Sequence, residues 1–124
     1  MSLTQDFADA NFIITGYRAD CVLINNEPHS QSLVICPDKL IAPWEVTNVT
    51  QLHENNLEAI IKMQPEVVLL GTGHQLILPQ PRIIALFAQH RISFEAMNTY
   101  AACRTYGILV AERRKAAAAL IFPD

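Results

Sequence analysis

The chain has 124 residues, 51% of them apolar and 17% charged, with a net charge of -3. That length makes one domain, able to bury roughly two thirds of its unfolded surface without disulfides or metal, and the apolar content excludes a disordered regulator. Lys and Arg are scattered except at Arg113, Arg114 and Lys115, so there is no basic field and nucleic acid is not an expected partner.

The opening stretch MSLTQDFADANFIITG has no basic region followed by a long apolar one, and no apolar run reaches the ~20 residues that span a bilayer. A soluble, cytoplasmic protein without a transmembrane segment is expected, with residues 1–9 disordered and residues 10–122 forming the folded core. Cys21, Cys36 and Cys103 are odd in number and lack CxxC spacing, which argues against a disulfide framework and a zinc knuckle and for buried reduced thiols.

In chain order, Phe12–Tyr17, Cys21–Ile24 and Ser32–Cys36 are β-branched or apolar runs of strand length. The segment NNEPHS between the last two has turn composition and predicts a hairpin or near-hairpin. The first third is therefore β. Leu40–Val46 is apolar, but Pro43 cannot donate to a ladder and sends the segment to an edge or loop, with Trp44 over one end of the core.

From Asn56 the period becomes helical, with Leu57, Ile60 and Ile61 on one stripe and Pro65 as the stop. Glu66–Leu70 is a nearly unbroken apolar run, as expected of a strand central in a sheet and buried on both faces. QLILP follows as a short extended piece, and Pro79 and Pro81 open a helix with the stripe Ile83, Leu86, Phe87 and His90. Ile92–Met97 is the next strand. Asn98 or Thr99 suits the N-cap of a helix that runs to about Glu112, with Ala102, Tyr106, Leu109 and Val110 on one face; we expect Thr99 to be the cap. In RKAAAALIFPD the alanines favour helix on propensity, while AALIF also fits a small-residue strand under helices. Strands followed by α/β alternation predict a mixed sheet with helices packed on it.

The chemistry-bearing candidates are few. Gly71-Thr72-Gly73 ends an apolar strand as a phosphate loop does, but the next residues are His74 and the extended QLIL rather than a helix, and neither GKS nor GKT follows. Without helix amides to hold the anion, nucleotide binding is not expected. A glycine turn still exposes amides at the end of a parallel strand, where open α/β sheets form crevices. If the strands ending at Leu70 and Met97 lie side by side, Gly71, Thr72, Gly73, Asn98, Thr99 and Arg104 share one rim suited to a small carboxylate or phosphate. Turn formation and helix capping explain the same residues. Cys103 lies inside a helix, His74 has no orienting partner, and the histidines at 29, 53, 74 and 90 lack HxxxH spacing, so no catalytic residue, metal or cofactor is assigned. Glu95 and Glu112 are read as ion-pair partners of Arg104, Arg113 or Arg114.

The motifs VVLLGTG, LP before a helix, and ISFEAMNTYAACRTYGILVAERRKAAAAL together resemble the small bacterial and archaeal family called domain of unknown function 498, whose mitochondrial relative is a complex I assembly factor. Gly71, Thr72 and Gly73 match the strand end of that pattern, and Glu95, Met97, Thr99, Ala102, Arg104, Thr105 and Tyr106 match the segment after it. Glu112 and Arg114 match its late Glu-x-Arg, and IAPWEV matches its Pro-Trp strand end. Gly107 stands where the family has Asn. The resemblance implies a three-layered α/β domain whose alanine-rich end is a strand, overriding propensity there. It also implies an accessory role through protein partners, linked to respiratory complex I assembly, with no established reaction. A homo-oligomer is compatible with this reading.

Overall fold

A computed structural model describes residues 11–18 and 20–123; the expectation for residues 1–9 lies outside the described residues. Strands β1 (Ile14–Arg18), β2 (Cys21–Ile24) and β3 (Glu27–His29) form an antiparallel sheet in the order β1-β2-β3. The predicted turn NNEPHS is a turn only at its start. Asn25 and Asn26 take φ of 50° and 71°, the left-handed pair that a two-residue hairpin needs and that Asn tolerates. Glu27, Pro28 and His29 then pair back onto β2. The hairpin therefore joins β2 to β3, whereas Leu33–Cys36 (β4) enters another sheet.

That second sheet is mixed and has five strands in the order β5-β4-β8-β6-β7, where β5 is Lys39–Ile41, β6 Val67–Gly71, β7 Ser93–Met97 and β8 Ala116–Leu120. β6 runs parallel to both β7 and β8, while β4 runs antiparallel to β5 and β8. The expected central strand, β6, is second from the edge, and the alanine strand β8 occupies the centre. Every residue of β8 is at most 1% exposed. Helix propensity loses there because the segment is paired on both edges and covered on both faces, and a methyl side chain lets both layers approach closely.

The chain cannot carry a helix into the alanines because it stops at Arg113. Helix α3 (Thr99–Ala111) ends with Arg113 at φ 61°, Arg113 N bonded to Val110 O at 2.9 Å and Arg114 N to Leu109 O at 2.9 Å, the double bond of a Schellman stop. Helix α2 (Pro81–Gln89) stops in the same way at Arg91, φ 59°, with Arg91 N on Ala88 O and Ile92 N on Phe87 O, both 3.0 Å. Helix α1 (Glu54–Lys62) starts two residues before the sequence stripe, because His53 Nδ1 accepts from Asn55 N while Asn56 Oδ1 accepts from His53 N. Three residues of a 3-10 turn, Val49–Gln51, precede it. The stretch QLILP has no strand pairing among the described residues.

Alternation along the strands produces two cores. Val34, Val68, Leu70, Ala117 and Ala119 face α1 and α2, meeting Leu57, Ile60, Ile83 and Phe87. Leu33, Ile35, Leu69, Ala118 and Leu120 face α3 and the small sheet, meeting Ala102, Tyr106, Val110, Val22 and Ile24. The layers are thus α1 and α2, the five-stranded sheet, and α3 with the small sheet. Trp44 closes the first core at 6% exposure, its indole N–H donating to Asn56 O at 3.3 Å.

Candidate functional site

The parallel strands β8, β6 and β7 end side by side, with Gly71 opposite both Leu120 and Met97. This is the crevice end of an α/β sheet. The segments leaving those three strands are tied together by Thr99, which is 7% exposed. Its hydroxyl accepts from Gly73 N at 2.8 Å and donates to Ile121 O at 2.8 Å, and its own amide donates to Gly73 O at 2.9 Å. Thr72, 2% exposed, donates from its hydroxyl to Gln75 O at 2.7 Å and accepts from Ile77 N at 3.0 Å.

The α3 cap is Asn98, whose Oδ1 accepts from Ala101 N at 2.8 Å. Thr99, expected as the cap, is instead the first helical residue, and its side chain faces the strand ends rather than the helix amides. Both glycines are explained by proximity. A Cβ on Gly71 would stand 2.9 Å from Thr99 Cα, and Gly73 has φ 107° with Pro123 Cγ 3.0 Å from where its Cβ would be, so neither position suits a side chain.

A pocket of about 340 Å³ opens at this corner, with Gly73, Asn98 and Thr99 on its wall. Gly71, Thr72 and Arg104 are not among its lining residues. The helix explains the divergence of Arg104: Thr99, Ala102, Cys103, Tyr106 and Val110 are the buried residues of α3, and residue 104 falls roughly 100° past Cys103, where it is exposed. The amides of Thr72, Gly73 and Thr99 are already bonded to Met97 O, Thr99 Oγ1 and Gly73 O, so the turn holds itself rather than presenting a free nest.

The small sheet supplies the opposite wall through Tyr17, Arg18, Asp20 and Cys21. Tyr17 and Tyr100 meet edge to face with centroids 4.5 Å apart. Sequence reasoning missed this wall, because no local spacing tells that β1 and β2 lie across from the start of α3. Cys103, on the pocket wall and 2% exposed, has its pKa pushed up to about 12 by burial. Its thiol is therefore neutral near pH 7 and not an activated nucleophile. Cys36 is raised chiefly by burial and then by its hydrogen bond to Asp38, at 3.2 Å. All three cysteines are free, with Cys21 half-buried. Among the described residues no group of three His, Cys, Asp or Glu is placed to hold a metal, and no helix is long and apolar enough to cross a membrane. Glu95 and Glu112 are exposed, and Arg114 pairs with Glu66 at 3.4 Å rather than with either.

Comparisons with known proteins fit this architecture. A protein from Bordetella parapertussis, solved by crystallography, superposes with a TM-score of 0.85 at 32% identity over 94% of this chain and 99% of its own. NADH dehydrogenase [ubiquinone] 1 alpha subcomplex assembly factor 3 of Xenopus tropicalis is 32% identical over 98% of this chain and 67% of its own length. The 13 kDa major membrane protein of Francisella tularensis is 25% identical over 98% of this chain and 99% of its own. Residues 14–121 match the family described as protein of unknown function (DUF498/DUF598), and with the matching fold and relatives, the chain belongs to that family.

Proposed function

We propose that the protein is an accessory factor acting through protein contacts in the assembly of respiratory complex I. The observation that supports this best is the alignment of the Xenopus assembly factor across 98% of this chain, a span that takes in the sheets and helices of the described residues. The buried polar groups at the strand ends favour a scaffold over a reactive centre. Thr72 and Thr99 spend their hydroxyls on main-chain atoms, and the Cys103 thiol is held neutral by burial. Removing the protein from its native host tests the reading: assembled NADH dehydrogenase should fall while its subunits are still made, and unchanged assembly would reject it.

A second reading, carried by the 340 Å³ pocket, is a small-ligand binder. Gly73, Asn98 and Thr99 supply one side, and Arg18, unlike Arg104, is on the wall. Its volume suits a small molecule. Titration with inorganic phosphate and simple carboxylates tests it, with Arg18→Ala and Arg104→Ala as the discriminating pair. Binding lost with Arg18→Ala locates the ligand in the pocket, and no heat of binding from any probe rejects the small-anion reading.

A further inference from the structure

The segment after Gly73 is an apolar surface that the fold holds in place. Leu76, Ile77 and Leu78 are 54%, 49% and 73% exposed, although they sit in one consecutive run. The loop is anchored by the buried Thr72 hydroxyl, bonded to Gln75 O and Ile77 N, and it leads through buried Pro79 into α2. The outward face of α2 continues the surface: Pro81, Ile84, Ala85 and Ala88 are exposed at helical spacing, while Ile83 and Phe87 face the core. A helix apolar on both sides is normally covered on both.

Charge narrows what covers it. From Val67 to Phe94 there is no Asp or Glu, in a chain whose net charge is -3, and the segment carries Arg82 and Arg91. Arg82 donates to two neutral oxygens, Gln80 Oε1 at 2.7 Å and Leu52 O at 3.1 Å, which hold the guanidinium at the base of the loop without neutralising it. A second copy docked face to face would set two segments without acidic residues against each other, bringing like charges together. An anionic surface is the complement.

We propose that the Leu76–Leu78 loop and the outward face of α2 dock on an anionic lipid bilayer, with the three side chains entering the headgroup boundary and Arg82 facing lipid phosphates. This combination of exposed apolar side chains and flanking cations is how peripheral proteins bind membranes reversibly. The inference stands independently of the assembly reading.

Sedimentation of the full chain with vesicles tests it, comparing pure phosphatidylcholine with mixtures containing phosphatidylglycerol. Binding should grow with the phosphatidylglycerol fraction and weaken with salt. Leu78→Asp should abolish it, and Arg82→Ala should lower it roughly fivefold. Leu78 is 73% exposed, so Leu78→Asp should melt as the wild type does, which separates lost docking from lost fold. No sedimentation with phosphatidylglycerol vesicles, or equal sedimentation of Leu78→Asp, overturns the proposal. So does a Leu78→Asp protein that loses capture of NADH dehydrogenase subunits when neither protein binds vesicles, since the surface is then a protein contact.

Discussion

The backbone of Thr99 occupies the space where a side chain at residue 71 would be: a Cβ on Gly71 would lie 2.9 Å from Thr99 Cα, 3.0 Å from its Oγ1 and 3.2 Å from Leu120 Cδ2. The start of α3 can therefore rest directly on the end of β6. Backbone cannot rotate away as a side chain would, so Gly71→Ala should destabilise the fold by about 1–3 kcal/mol. Urea unfolding measures it, and a neutral result would show that the close approach relaxes freely.

Thr99 is predicted to matter through its hydroxyl rather than its shape. Thr99→Val leaves Gly73 N and Ile121 O buried without their partner, a loss of about 3 kcal/mol. Thr99→Ser retains the hydroxyl and should cost about 1 kcal/mol or less. Paired urea curves for the two variants check the difference.

Tyr106 presents the opposite case. It is 1% exposed and, among the described residues, its hydroxyl has no hydrogen-bond partner, so Tyr106→Phe removes a desolvated polar group without breaking a bond. The variant should be equally stable or more stable by about 1 kcal/mol, as a thermal melt would read.

Burial also sets an alkaline limit. The pKa of Cys103 is raised from 9.0 to about 12, and that of Tyr106 is raised as well, both chiefly by burial. Above pH 9 the unfolded chain loses the Cys103 proton while the native state keeps it. Unfolded molecules then bind fewer protons, and unfolding free energy falls as pH rises from 9 toward 12. A three-unit shift is worth on the order of 4 kcal/mol. Cys103→Ala should flatten this slope in urea titrations across that range.

Two surface changes should stabilise the protein. Gly107 has open space where a Cβ would go, and Gly107→Ala should add about 0.5–1 kcal/mol of helix propensity. Arg91 holds a left-handed φ of 59°, so Arg91→Gly should gain about 1 kcal/mol by removing the Cβ strain. Melting temperatures of the two variants provide the check.

Periodicity revealed α1, α2 and α3 because their buried stripes are local properties of the chain. It also contained the position of Arg104: a helix that buries Ala102, Tyr106 and Val110 turns residue 104 outward. The β8 assignment needed the family resemblance, because its cause is burial between two layers and a stop at Arg113, a residue with no turn signature. The hairpin was misplaced since Pro28 conceals a three-residue strand, Glu27–His29, at the edge of the small sheet, where a missing N–H is tolerated. The pocket wall from Tyr17 to Cys21 was invisible for a different reason: it meets α3 across some 80 residues of chain, as in the bond from Tyr100 Oη to Tyr17 O (3.4 Å).

Affinity capture of the tagged chain from its native host, with membrane and soluble fractions quantified separately, tests the assembly role most directly. Reproducible enrichment of NADH dehydrogenase subunits over an unrelated tagged control of similar size is the predicted result. Capture without those subunits in either fraction, together with a copurifying metabolite, would contradict the assembly role and transfer the function to the pocket beside Thr99.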